Sequence, residues 1–258
     1  KIIANYGVGY NNINVDYATK KGIVVTNTPD PVVEPTAEQA MALMLAVARR
    51  IAECDRKLRI PDGLKWGVME NIGVSLYGKT LGIIGMGNIG KALAKRAYAS
   101  GMQLIYHNRT PLSPEEEKRL NASYCSLAEL LSTADFISIH TPLTDDTLHL
   151  LDEDEFNLMK HGCIVINTAR GPVINEKILI KYLENGKLYG AGLDVYEFEP
   201  MLSEQLLTMD NVVLAPHNGT ATIDARNAMS RFASTNVIKF FRGDTDISIV
   251  NKEVWNNK

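Results

Sequence analysis

Short apolar runs recur along this chain, with segments of helical period between them. The most regular series lies at residues 80–84, 102–106, 135–140, 163–168, 191–195 and 212–215. Several of these runs are apolar on both faces, as strands are when helices cover both sides of a parallel sheet. Residues 89–100 read as a helix with Gly101 as its C-cap, and residues 223–241 as a final long helix. Strands alternating with helices predict an α/β fold with a doubly wound parallel sheet. Upstream, residues 1–5 and 23–26 read as two further strands flanking a short helix at 16–21, the tail of another α/β unit. Ala40, Leu43, Met44, Val47 and Ile51 recur at helical spacing, which predicts one long helix over residues 36–59, stopped by Pro61-Asp62-Gly63.

Composition narrows the function classes. The 258 residues carry a formal net charge of −3 with 22% charged and 45% hydrophobic residues, so no basic excess serves a nucleic-acid partner. Cys54, Cys125 and Cys163 are scattered and form no CxxC pair, which argues against a disulfide framework or a zinc site and fits a reducing cytoplasm. The longest apolar stretch, residues 40–48, is about half of the ~20 residues a membrane helix needs. No membrane or metal partner is expected.

Gly85-Met86-Gly87-Asn88-Ile89-Gly90 follows an apolar strand and opens a helix, the context in which a GxGxxG spacing binds a dinucleotide. Gly85 permits the tight turn, Gly87 lets the backbone approach the pyrophosphate, and Gly90 lets the helix pack on the sheet. The helix start then offers N–H groups and a positive dipole end to the phosphates. The reader of the adenosine ribose is expected some 20 residues on, at the end of the second strand. No acid stands in residues 106–110; Asn108 and Arg109 offer donors and a fixed positive charge instead. Arg grips phosphate with two parallel hydrogen bonds, so NADP is the expected cofactor. The alternative is NAD, with Arg109 stacking on adenine and Asn108 bonding the ribose.

Ligands of such sheets bind beyond the carboxyl ends of the strands. Those ends carry His140-Thr141-Pro142, Asn167-Thr168-Ala169-Arg170, Asp194 with Glu199 five residues on, and Pro216-His217-Asn218-Gly219. An arginine, two carboxylates and a histidine beside a nicotinamide suit reduction of a 2-oxo acid. Histidine is a natural proton donor near neutral pH, a neighbouring carboxylate orients the ring and favours its charged form, and an arginine fork binds a substrate carboxylate. Taken singly, each residue also has an ordinary structural reading as a surface histidine, a loop anchor or a turn cap. His140 shares a strand end but has no evident carboxylate partner in sequence, and it ranks below His217. His107 and His161 read as ordinary polar positions.

These motifs, with residues 5–13, Thr36-Ala37-Glu38, residues 140–144, 167–171, 192–200 and 216–222, resemble the D-specific 2-hydroxyacid dehydrogenase family over nearly the whole chain. The resemblance implies a Rossmann-type cofactor domain with a partial flavodoxin-like substrate domain. Residues 1–30 would be the remnant of the latter, 31–220 the cofactor domain with a dimerisation arm, and 221–258 the return helix and tail. It implies that several dozen residues of the substrate domain precede Lys1. It makes Arg170 the substrate anchor, His217 the acid–base and Glu199 its partner. It gives Asp194 a place near the nicotinamide, Val8 and Gly9 a backbone cradle for the substrate carboxylate, and Thr147 a place near the cofactor phosphates. Thr36, Thr141, Pro142, Thr168, Ala169 and Gly219 join the glycine loop as expected cofactor contacts. The helix from Thr36 and the segment around Trp66 resemble the family's homodimer arm. Two positions depart from the family pattern: Asn175 stands where an acid is common, and Asn218 where an apolar residue is common. The first reads as a surface variation; the second bears on the hydrogen bonding of His217 or on the substrate pocket.

The implied activity is hydride transfer between NAD(P)H and a small 2-oxo acid, with glyoxylate or hydroxypyruvate as substrate. A phosphoglycerate-type dehydrogenase and a non-catalytic NAD(H)-sensing corepressor-like module are the alternatives.

Overall fold

The structure, a computed structural model, describes residues 1–256, so the last two residues of the expected tail segment 221–258 lie outside it. The chain divides into two compact units, residues 1–36 with 220–258, and residues 37–219.

The first unit opens with β1 (Ile2–Ala4), α1 (Val15–Lys20) and β2 (Val24–Thr26), and the two strands pair in parallel. Asn14 starts α1 by accepting the Tyr17 N–H at 2.8 Å, an N-cap that meets one otherwise unpaired helix donor. The expected helix over residues 36–59 is in fact two, α2 (Val33–Ala48) and α3 (Ile51–Leu58). Arg50, between them, is left-handed at φ 54°, and the carbonyl of Ala48 accepts Val74 N–H at 2.8 Å. The apolar spacing runs straight through this break, which is why the pattern reads as one helix.

The second unit is a parallel seven-stranded sheet. Its elements are β3 (Thr80–Ile84), α4 (Asn88–Ala99), β4 (Gln103–His107), α5 (Pro114–Leu120), β5 (Ala122–Tyr124), α6 (Leu127–Thr133), β6 (Phe136–Ile139), α7 (Glu153–Leu158), β7 (Cys163–Asn167), α8 (Glu176–Glu184), β8 (Leu188–Leu193), α9 (Glu204–Thr208) and β9 (Val212–Leu214). The strand order β5-β4-β3-β6-β7-β8-β9 reverses direction at β3, between β4 and β6. That reversal opens the crevice at the strand ends where ligands bind in such sheets. Every residue of β6 and β7 is buried, which accounts for their apolar character on both faces. Each such Ile, Val or Phe side chain contributes about 1.5–3 kcal/mol by burial. The short edge strand β5 has no counterpart among the expected runs. Asn175, far from being a surface variation, caps α8 by accepting Ile178 N–H and ties it to Asp152 through its amide.

The chain then returns to the first unit with α10 (Ile223–Arg242) and α11 (Lys252–Asn256). There Asn251 binds the β2 strand by accepting Val25 N–H at 2.8 Å and donating to the Ile23 carbonyl at 2.9 Å.

Candidate active site

The glycine loop turns out of β3 at Gly85, whose φ of +96° is open to glycine. A β-carbon at Gly85 would lie 2.8 Å from the His140 carbonyl carbon, so the loop also lies hard against the end of β6. At Gly90 a β-carbon would come within 2.5 Å of the Gly85 carbonyl oxygen, whereas at Gly87 nothing lies within 4 Å. Gly87 is the N-cap of α4 and brings no side chain to its first turn. The first-turn amides of Asn88, Ile89 and Gly90 therefore face a free approach. Met86 differs: its side chain is buried and its N–H is donated to Asn108 Oδ1 at 2.6 Å. Asn108 thus braces the glycine loop from the end of β4. Arg109, next to it, is exposed, with Asp146 4.0 Å away.

The end of β7 carries Arg170 in extended conformation (φ −144°, ψ 136°) before the turn Gly171–Val173. Its guanidinium donates to the Ala169 carbonyl at 2.6 Å, and Asn167 fixes the loop by donating to the Arg170 carbonyl at 2.9 Å. Burial pulls the Arg170 pKa down while the charge of Glu199 pulls it up; an arginine stays protonated under either influence at neutral pH.

After β8 comes a turn in which Glu199 Oε1 accepts Tyr196 N–H at 2.9 Å and Oε2 pairs with His217 Nδ1 at 2.9 Å. His217 itself is left-handed at φ 51°. Asp194 holds that backbone: its two oxygens accept Asn218 N–H at 2.9 Å and Gly219 N–H at 2.8 Å. The Asp194 carboxyl is raised above the usual range, chiefly by burial, against the pull of those two amides and the nearby His217. Arg170, Glu199, His217 and Asp194 thus converge electrostatically from three separate strand ends. Asn218 does not take the histidine's hydrogen bond; its side chain accepts from Gln39 at 3.1 Å.

His140 is placed otherwise. Its Nε2 meets Ser138 Oγ at 2.8 Å, and burial pushes its pKa down to about 4. A ring that burial keeps neutral at neutral pH is a far weaker acid than an imidazolium and is poorly suited to protonating a carbonyl oxygen.

A dinucleotide fits this edge. Beyond the space over Gly87, the buried hydroxyls of Thr141 and Thr168 have no partner within the protein, and a buried polar group is costly unless a ligand or water completes it. Pro142 and Ala169 lie on the same strand-end loops. Thr147 instead binds back into its own loop, accepting Thr144 N–H at 2.8 Å and donating to the Pro142 carbonyl at 2.7 Å. In the first unit, Thr36 is buried with its hydroxyl donated to the Val32 carbonyl at 2.7 Å. There too the loop holding Val8 and Gly9 is shaped by Asn5, which donates to the carbonyls of Gly7 and Gly9 at 3.0 and 2.8 Å.

The profile of the D-isomer specific 2-hydroxyacid dehydrogenase NAD-binding domain matches residues 41–219. A glyoxylate reductase from Thermococcus litoralis is 49% identical over 258 residues, covering 98% of this chain and 78% of that protein. The chain belongs to the D-isomer specific 2-hydroxyacid dehydrogenase family. Among solved structures, this dehydrogenase is similar to a glyoxylate reductase from Paecilomyes thermophila, with TM-score 0.91 and 39% identity over 98% of this chain and 76% of that one. It is also similar to an NADPH-dependent glyoxylate/hydroxypyruvate reductase from Sinorhizobium meliloti in complex with NADP and malonate, with TM-score 0.88 and 35% identity over 97% and 77% of the two chains.

Three features of the dehydrogenase's site went unread in the sequence. Ser138 is the partner of His140, Gln39 is the partner of Asn218, and His149 forms a second histidine–carboxylate couple with Glu197 at 2.7 Å. The last two pair residues far apart in the chain, and only Ser138, two residues before His140 on one face of a strand, offered a local signal.

Proposed function

We propose that this dehydrogenase reduces glyoxylate or hydroxypyruvate to the 2-hydroxy acid, of D configuration where the product is chiral, and prefers NADPH to NADH. The observation that carries the reading is the His217–Glu199 couple, 2.9 Å long and within the electrostatic reach of Arg170. The first-turn amides of α4 beside Gly87, with Thr141 and Thr168, would hold the nicotinamide cofactor, which would supply the hydride. Arg170 anchors the substrate carboxylate by a charge-assisted fork and polarises the carbonyl. Glu199 occupies the Nδ1 side of His217, which leaves Nε2–H to donate the proton to the carbonyl oxygen as charge develops there. Asp194 keeps the His217 backbone in its left-handed turn and so aims the ring.

Cofactor preference rests on Arg109, exposed beyond β4 with no acid in residues 106–110 to repel a 2′-phosphate. Steady-state reduction of glyoxylate, hydroxypyruvate and pyruvate followed at 340 nm tests both parts. A tenfold or greater preference for NADH overturns the cofactor reading, and no turnover with any 2-oxo acid overturns the activity in favour of a binding module.

The same proposal extends to assembly and location. Trp66, Val68 and Met69 are 87%, 97% and 79% exposed, an apolar run that supports a homodimer through this segment. Light scattering is expected to give twice the chain mass, and Val68→Asp to give the monomer mass. The three free cysteines suit the cytoplasm; recovery of Cys54 as a disulfide from alkylated cells would contradict that placement.

A further inference from the structure

Beside the catalytic couple lies a second one that no step of the reaction uses. His149 Nε2 meets Glu197 Oε1 at 2.7 Å. Glu197 Oε2 accepts Glu176 N–H at 2.8 Å, and Glu176 Oε2 accepts Glu197 N–H at 2.9 Å. Glu176 Oε1 takes the Ser203 hydroxyl at 2.5 Å. All four carboxylate oxygens are thus partnered, as two largely buried acids require. The elements so joined bear directly on the catalytic residues. Glu197 lies two residues before Glu199, and Glu176 opens α8 just after the turn that begins at Arg170. His149 N–H donates to the Pro172 carbonyl in that same turn at 2.8 Å. The turn and the Tyr196–Glu197 backbone are pressed so closely that a β-carbon at Gly171 would fall 1.9 Å from the Tyr196 carbonyl. His149 is held left-handed at φ 49°, an uncommon state for a residue with a β-carbon, and its ring is what that conformation delivers to Glu197.

We propose that the His149–Glu197–Glu176 network is a positioning device that fixes the distance between Arg170 and the Glu199–His217 couple, so that substrate anchor and proton donor meet the same 2-oxo acid. The inference rests on the roles assigned above to Arg170, Glu199 and His217. His149, Glu197 and Glu176 are positioning residues that act through those three and touch no reacting atom. Breaking one member of such a network leaves buried acceptors unpaired and lets both loops drift, and a misplacement of about 1 Å can cost on the order of a hundredfold in rate.

The test compares Glu197→Ala, Glu197→Gln and His149→Asn with the parent protein. Asparagine tolerates the left-handed backbone, so His149→Asn removes the ring's bond while leaving the turn intact. For Glu197→Ala and His149→Asn we expect kcat for glyoxylate to fall about tenfold or more and its KM to rise. The NADPH Kd, from fluorescence titration, should stay within about twofold of the parent's. Glu197→Gln keeps an acceptor for Glu176 N–H and is expected to recover most of the loss. Unchanged kcat and KM in a folded Glu197→Ala or His149→Asn protein overturns the proposal, as does a loss of NADPH affinity in proportion to the loss of kcat. Should the parent protein reduce no 2-oxo acid, the activity reading fails on its own. The network is then judged by the His217 ring proton resonance, which must move in Glu197→Ala and His149→Asn if the network positions the couple; an unmoved resonance overturns it.

Discussion

His217 is constrained twice, through its ring by Glu199 and through its left-handed backbone by the Asp194 bonds to Asn218 and Gly219. The two constraints predict different failures. His217→Gln keeps a polar side chain but has no acidic proton to give, so kcat/KM for glyoxylate should fall about 10²–10⁴-fold. The NADPH Kd should barely change, because the partners proposed for the cofactor are backbone amides and hydroxyls elsewhere on the sheet edge. A collapse of NADPH affinity in this variant would make His217 a structural residue. Asp194→Asn is isosteric, yet it turns one acceptor into an NH2 group facing a backbone N–H. A buried donor left against a donor costs about 1–3 kcal/mol. The turn that aims His217 is then expected to loosen, with kcat reduced at least tenfold and the unfolding midpoint lowered. Full activity in Asp194→Asn would show that the two amide bonds do not set the ring's aim.

At the scale of elements, the break between α2 and α3 sets backbone strain against a buried charge. Arg50 is left-handed, and its guanidinium makes two bonds to Glu53 at 2.7 and 2.6 Å, with Lys57 adding a third at 2.7 Å. Arg50→Gly relieves a backbone cost of about 1 kcal/mol but takes two of three bonds from a carboxylate that is only 5% exposed, leaving it Lys57 alone, and hydrogen bonds to a charged group are worth about 1.5–3 kcal/mol. Net destabilisation is expected in urea unfolding, with a substantial part recovered in the double variant Arg50→Gly/Glu53→Gln. A stabilised single variant would mean that the strain, not the pair, governs the junction. This junction also marks the limit of what the sequence discloses. The strand–glycine-loop–helix unit of β3 and α4 was legible because its glycines, its apolar run and its helical period all point one way. That Arg170, Glu199 and His217 come together was readable once parallel topology put their strand ends on one edge. The α2–α3 break was not legible: one residue inverts its backbone without disturbing the apolar period, and of the contacts there the Arg50–Glu53 pair is a spacing any continuous helix also offers, while the Val74 amide reaches Ala48 from outside both helices. Strand β5 was hidden by its length, since Ala122-Ser123-Tyr124 is too short to show alternation. His149 was passed over because its partner lies 48 residues away.

For the molecule as a whole, the response of stability to acid follows from groups whose pKa values are displaced by folding. His140 is displaced downward, from 6.5 to about 4, through burial. In the unfolded chain the ring binds its proton near pH 6.5; in the native protein it does so only near pH 4. Between those values the unfolded state holds more protons, so native stability falls as the pH drops from about 6.5 toward 4. At 1.36 kcal/mol per unit, that is about 2 kcal/mol lost by pH 5. The Glu53 carboxyl, held down chiefly by Arg50, acts lower: its stabilisation is present above its ordinary value of 4.5 and is lost as the pH falls below it. Asp194 runs the other way, since burial raises it and its ionisation costs stability as the pH rises through its native value. Of the two groups that lose stability in acid, Glu53 acts below 4.5 and His140 between 6.5 and about 4, and His140 is not the histidine proposed as proton donor. His140→Asn, which carries no titrating proton, is therefore expected to lose about 2 kcal/mol less than the parent between pH 7 and pH 5 in denaturant unfolding. An equal loss in both proteins would place the acid sensitivity elsewhere in the chain.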